Sequence, residues 1–263
     1  MFKFKQFTIH QDRTAMKVGT DGVLLGAWAP IAPTAKKLLD IGTGTGLIAL
    51  MLAQRLTQCK MQNAKCTIDT EKSDVNNYEL CIMNCELKID AIDIDQSSIE
   101  QAAENIKNSP FALYITTHHT SLQEHTATEK YDAIVCNPPY FVASLKCPDA
   151  SRTQARHTDS LSFDDLLQHS ARLLNPKGSL SVILPINEGN QLIELAPKYG
   201  FSLTELVHVH PTPTSEPKRL LMHFIKQSTE NSSILSSKLT IELARHQYTP
   251  EYIALTKNFY LKM

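Results

Sequence analysis

The amino-acid sequence predicts an α/β fold: a doubly wound sheet of seven strands, mostly parallel, ending in an antiparallel C-terminal strand pair. Three observations predict it. Short, apolar, β-branched runs alternate with helical patterns, as in a parallel sheet buried on both faces. A glycine-rich run, DIGTGTG at residues 40–46, sits at the first strand-to-helix junction. Two alternating strands, FSLTELVHV and KRLLMHFIK, are separated only by the proline-rich loop HPTPTSEP, a connection direct enough to pair them antiparallel. Together these make the sheet Rossmann-like.

The elements follow in order. KKLLDIG is the first strand, and GTGLIALMLAQRL, apolar around most of its circumference, is the helix after it. KIDAIDID is the second strand. In the helix QSSIEQAAENI, Ile99, Ala102, Ala103 and Ile106 form an i, i+3, i+4, i+7 stripe, and Ser97 and Glu100 have capping-box spacing. A weaker strand near YITTHHT, which places His118 and His119 at a strand end, is followed by YDAIVCN. A helix around SFDDLLQHSARLL starts at Ser162 and Asp165, and the turn NPKG leads into the apolar strand SLSVILP. A short helix near GNQLIELAPKYG precedes the antiparallel pair. Residues 1–263 read as one domain, interrupted at about residues 57–87 by a mostly polar stretch. A buried loop of that length is implausible, so it is expected to be a surface insertion.

Composition narrows the function. Lysine plus arginine number 26 against 27 aspartates plus glutamates, a formal net charge of -1, so nucleic-acid contact would have to come from a local basic patch. The opening MFKFKQFTIHQDR lacks the apolar core of a signal peptide, and no stretch approaches the ~18 uncharged apolar residues of a membrane span. The chain therefore reads as cytoplasmic, without membrane contact and with no obligatory protein partner. Cys59, Cys66, Cys81 and Cys85 lack the C-x₂-C spacing of zinc sites, and the ten histidines form no ligand pattern, so no metal is expected.

In the glycine run, Gly42, Gly44 and Gly46 allow a sharp turn and close approach to a ligand beyond the strand ends. The G-x-G-x-G spacing departs from the G-x-G-x-x-G of nicotinamide dinucleotide binders. An acid ending the second strand is placed to reach ribose hydroxyls. Asp93 fits that position, while Asp95 is placed to cap the next helix.

With Asp40 heading the loop, these residues resemble class I S-adenosylmethionine-dependent methyltransferases, whose hallmarks are D-x-G-x-G-x-G after strand 1 and an acid after strand 2. NPPY, at Asn137, Pro138, Pro139 and Tyr140, resembles the (D/N/S)-P-P-(Y/F/W) motif of enzymes that methylate exocyclic or amide nitrogens. That motif leaves adenine N6, guanine N2 of ribosomal RNA and glutamine N5 of release factors open. The segment MKVGTDGVLLGAWAP at residues 16–30, with RLLMHF and YTPEYIALTKNFYL towards the end, is similar to the bacterial tRNA1(Val) adenine-N6-methyltransferases. A release-factor enzyme carries a helical domain ahead of its glycine loop, for which the stretch before Asp40 is too short. Many guanine-N2 enzymes have a duplicated domain that exceeds this length. A non-catalytic S-adenosylmethionine- or RNA-binding module is disfavoured by the presence of Asn137.

The resemblance implies S-adenosyl-L-methionine as cofactor and tRNA as substrate. It places Asp40, the three glycines, Asp93 and Asp95 at the cofactor, with Lys17, Thr20 and Asp21 in a segment folding over it. Asn137 and Pro138 would hold the amino group, Pro139 would stiffen the turn and Tyr140 would stack on the base. Lys146, Arg152, Arg156, Lys218, Arg219 and Arg245 are the candidate tRNA contacts. Two departures stand out. Ser121 occupies the position where the family has an acid for the cofactor's adenine, so a charge-assisted hydrogen bond becomes a neutral one. The insertion stretches the glycine loop-to-acid distance to about 50 residues from the usual ~20.

Overall fold

The computed structural model describes residues 1–14, 16–67, 86–138, 161–226 and 233–262, and the backbone alone over 60–67. A hairpin of β1 (Phe2–Lys3) and β2 (Thr8–Ile9) precedes α1 (Thr20–Trp28). Then β3 (Lys37–Ile41), α2 (Leu47–Thr67), β4 (Lys88–Asp93), α3 (Gln96–Lys107), β5 (Ile115–His119) and β6 (Tyr131–Cys136) alternate as strand and helix. Beyond them lie α4 (Phe163–Leu173), β7 (Leu174–Pro185), α5 (Ile186–Leu195), β8 (Phe201–His210) and β9 (Arg219–Lys226). The chain closes with β10 (Leu235–Thr240), the hairpin β11 (Glu242–Ala244) and β12 (Gln247–Tyr248), and α6 (Pro250–Thr256).

The main sheet has eight strands among the described residues, in the order β10-β8-β9-β7-β6-β3-β4-β5. This is one more than the seven expected. The addition is β10, parallel to β8 at the sheet edge, where Leu235 to Lys238 are exposed and Leu239 is buried. With so little of it facing the core, its sequence carries no strand-like alternation of the kind that reveals a half-buried strand. As expected, β8 and β9 pair antiparallel; β9 also runs antiparallel to β7, and the remaining pairs in this sheet are parallel.

Alternation within the strands divides the interior. Leu38, Ala133 and Val135 face one core, under α1, α2 and α3, while Leu39, Ile134 and Cys136 face the other, under α4 and α5. Around α2, Ile48 to Ala53 are buried, which explains why that helix is apolar on nearly all sides. Its contact with α1 is close enough that a Cβ built on Gly26 would lie 2.8 Å from the Met51 sulfur.

Three local expectations are revised. α2 continues to Thr67, so the polar stretch begins as helix; its later part, 68–85, lies outside the described residues. α3 is capped by Asp95, whose carboxylate accepts from the Ser97 and Ser98 amides, and not by a Ser97–Glu100 box, because the helix begins at Gln96. The NPKG segment belongs to β7: Leu174 already pairs with Tyr131, and Lys177 at φ 62° forms an irregularity inside the strand. Ser162 caps α4 through the Asp165 amide, as expected. No helix among the described residues is long and apolar enough to cross a membrane.

Candidate active site

The strand order reverses at β3, which lies between β6 and β4, and ligands bind doubly wound sheets at the carboxyl ends of such strands. A cleft of about 660 Å³ opens there. Its floor is the glycine loop. Gly42, Gly44 and Gly46 have φ of 68°, 55° and 80°, the left-handed region that penalises a side chain. A Cβ built on Gly42 or Gly44 meets nothing within 4 Å, so the bare backbone there borders open space. The loop is anchored from below, where the Gly42 and Thr43 amides donate to the Ile92 carbonyl over 2.9 and 3.0 Å.

Asp93 ends β4 beside this loop and lines the cleft. One carboxylate oxygen accepts from the Gly44 amide at 2.9 Å, the other from the Asp95 amide at 3.0 Å. Asp95 also lines the cleft, but its carboxylate accepts from the Ser97 and Ser98 hydroxyls and amides, bonds that hold its pKa below the usual carboxylate range. Capping thus occupies Asp95, while Asp93 ties the glycine loop to the end of β4 at the cleft.

Asp40 is fully buried at the end of β3. Its Oδ2 accepts from the Thr43 hydroxyl at 2.7 Å and the Ala49 amide at 3.2 Å, while Oδ1 has no hydrogen-bond partner among the described residues. Burial pushes its pKa up to about 7, against those two hydrogen bonds and with a smaller push from the Asp93 charge. Asp40 therefore shapes the loop from behind.

Asn137 follows β6 on the cleft wall with Pro138. Among the described residues its side-chain oxygen is buried without a hydrogen-bond partner, a state costing about 1–3 kcal/mol in a folded protein. Its amide nitrogen would lie 4.0 Å from a Cβ on Gly22, so α1 backs this side chain closely. Pro139 and Tyr140 lie outside the described residues. Cys136, next to Asn137, is buried, which raises its thiol pKa and leaves it unreactive.

The N-terminal segment also lines the cleft, through Thr14, Met16, Lys17, Val18 and Gly19, with Thr20 and Asp21 of α1. The Lys17 ammonium turns to the Thr14 and Gln11 carbonyls of its own segment. Asp21 accepts from Arg219 Nε at 2.8 Å, and both line the cleft, so a residue expected at the cofactor and one expected at tRNA form one ion pair. Ser121 lines the cleft, its hydroxyl donating to the Glu124 carboxylate and accepting from the Glu124 amide.

Of the other tRNA candidates, Lys218 is exposed just before β9 and Arg245 is exposed at the β11–β12 turn. Lys146, Arg152 and Arg156 lie outside the described residues. Sequence reasoning missed Ile94, an apolar side chain 54% exposed on the cleft between Asp93 and Asp95. Alternation alone would put Ile94 on the buried face with Ile92; it is exposed because β4 ends at Asp93, one residue earlier. Among the described residues, no group of three or more His, Cys, Asp or Glu is placed to hold a metal ion.

A doubly wound sheet with an antiparallel β9, a bare-backbone glycine loop and an acid tied to it across the switch point defines the α/β methyltransferase fold. The crystal structure of a predicted O-methyltransferase, protein Atu636 from Agrobacterium tumefaciens, superposes with a TM-score of 0.63 at 18% identity, over 91% of this chain and 96% of that one. A family model described as "RMKL-like, methyltransferase domain" matches residues 36–161. The tRNA1(Val) (adenine(37)-N6)-methyltransferase of Parabacteroides distasonis is 47% identical over 100% of this chain and 98% of its own length. The protein of the same name from Trichodesmium erythraeum is 43% identical over 99% and 98%. The chain belongs to the tRNA1(Val) (adenine(37)-N6)-methyltransferase family.

Proposed function

We propose that this chain transfers a methyl group from S-adenosylmethionine to the exocyclic N6 amino group of an adenine in tRNA, adenine-37 of tRNA1(Val). The observation that carries the proposal is the Asn137 side-chain oxygen, buried and without a partner among the described residues, on the wall of a cleft floored by the glycine loop and Asp93.

The chain's residues fit both ligands. The open faces of Gly42 and Gly44 leave room for a nucleoside against the loop, and Asp93 offers carboxylate oxygens for ribose hydroxyls. Ile94 and Leu122 provide apolar surface for a flat base, with Ser121 beside them as a neutral acceptor. When bound, S-adenosylmethionine supplies an electrophilic methyl group on a sulfonium sulfur.

An adenine amino nitrogen is a poor nucleophile because its lone pair is delocalised into the ring. Asn137 Oδ1 and the Pro138 carbonyl would each accept one of its N–H groups, favouring a pyramidal nitrogen and aiming its lone pair into the cleft. This is positioning and electrostatics, with no covalent enzyme intermediate. Pro138 biases Asn137 away from helical angles and so helps fix its direction. Tyr140 would stack on the extruded base, a contact worth about 1–3 kcal/mol. Lys146, Arg152, Arg156, Lys218 and Arg245 would meet phosphates, giving salt-dependent, sequence-independent affinity. A tRNA substrate places the reaction in the cytoplasm.

The test is transfer of labelled methyl from S-adenosylmethionine to unmodified bulk tRNA, followed by nucleoside mass spectrometry, with Asn137→Ala alongside. The expected product is N6-methyladenosine that disappears in the variant. A chain that binds S-adenosylhomocysteine yet methylates no tRNA nucleoside would redirect the reading to ribosomal RNA guanine or protein glutamine.

A further inference from the structure

We propose that Asn105, with Gln101 one helical turn before it, is a positioning residue that holds the N-terminal wall of the cleft and the glycine loop at a fixed spacing. This rests on the reading that the cleft binds S-adenosylmethionine. Both amides lie on α3 and both are 1% exposed, unusual burial for such side chains. Neither faces the cleft; each is spent on backbone from elsewhere in the chain.

Asn105 makes three such bonds. Its Oδ1 accepts from the His10 amide at 2.9 Å, and its Nδ2 donates to the His10 carbonyl at 2.8 Å and the Thr45 carbonyl at 2.9 Å. It therefore pairs with His10 as a strand neighbour would, while its second N–H grips the glycine loop. Gln101 Oε1 accepts from the Asp12 and Arg13 amides at 3.2 and 3.4 Å. An apolar side chain at either position would bury these backbone groups unpaired.

The anchorage reaches the cleft by short paths. Gln11, beside His10, accepts from the Val18 amide through its side chain at 2.8 Å and from the Lys17 ammonium through its carbonyl. Lys17 and Val18 line the cleft. On the other side, Thr45 precedes Gly46, where a built Cβ would stand 3.4 Å from Ala102 Cβ and 3.5 Å from Ile106 Cδ1. The glycine loop thus rests directly on α3. Because α3 is capped by Asp95, two residues past Asp93, one helix sets the relative places of the acid, the loop and the N-terminal wall.

The experiment is calorimetric titration of the full chain with S-adenosylhomocysteine, well below the melting temperature of each variant, with amide hydrogen exchange read at residues 10–13. Asn105→Ala and Asn105→Asp both remove the two donated bonds. Each is expected to weaken binding by about tenfold or more and to speed exchange at residues 10–13. Gln101→Ala is expected to act in the same direction, and Gln101→Glu, which keeps the acceptor, to recover most of the loss. If the Asn105 variants do not fold, the Gln101 pair decides. Folded variants that bind like the wild type, or a Gln101→Glu no better than Gln101→Ala, would overturn the proposal. A wild-type chain that does not bind S-adenosylhomocysteine would overturn the cofactor reading, and the positioning role with it.

Discussion

The Gly44 amide donates to the Asp93 carboxylate over 2.9 Å, so the loop after β3 and the acid ending β4 form one unit across adjacent strands. Asp93→Ala would remove the proposed ribose contact together with the loop's tie. S-adenosylhomocysteine binding should weaken by about tenfold to a hundredfold, as expected for a charge-assisted contact. Asp93→Asn keeps an acceptor for Gly44 and should lose less. Titration of both variants checks this, and unchanged binding in Asp93→Ala would move the ribose contact elsewhere.

Asn137→Ala separates chemistry from cofactor binding. The missing oxygen would serve the amino group alone, so turnover should fall by about a hundredfold or more, the scale for removing one preorganised transition-state contact. S-adenosylhomocysteine affinity should stay close to wild type. Equal loss of both would place Asn137 in the cofactor's wall.

The buried Asp40 carboxyl makes stability fall with rising pH. Its folded pKa of about 7 lies above its ordinary 3.8, so the folded chain binds the proton more tightly than the unfolded chain. Its contribution is fully present below the ordinary value and lost as pH rises towards about 7, the sign set by proton linkage. Asp40→Asn should remove this slope. Thermal melts without ligand across that range should show the variant gaining on wild type as pH rises, and a constant difference would contradict the assignment.

Gly26→Ala tests the α1–α2 contact. The added methyl would press on the Met51 side chain, with 2.8 Å to its sulfur and 3.0 Å to its Cβ. Overpacking of this kind costs about 1–3 kcal/mol, which urea denaturation would register as a lower midpoint with an unchanged slope. Met51→Ala in the same chain should recover part of the loss by vacating the space.

What the sequence revealed and what it hid follow from the range of the interactions. β3, the glycine loop and α2 were readable because each follows from local rules: a short apolar run, glycine's conformational freedom and a long apolar run that only a buried helix accommodates. Asp93 and Asp95 were separable because a cap lies at a fixed offset from its helix, and the structure gives Asp95 that duty. β10 was hidden because most of its side chains face solvent and it joins the sheet through backbone pairing. The Asn105 anchorage was hidden for a different reason. Its partners lie 95 and 60 residues away, and an asparagine on a helix otherwise reads as a solvent-facing residue. The joining of Asp21 to Arg219 was equally unreadable, since ion pairs leave no periodic trace.

That ion pair has a consequence for how the chain comes into being. Asp21 and Arg219 are 198 residues apart, and they meet on the rim of the same cleft. On a translating ribosome the glycine loop and Asp93 emerge early, while the strand that brings Arg219 emerges late. A nascent chain thus carries the cleft's floor long before its rim.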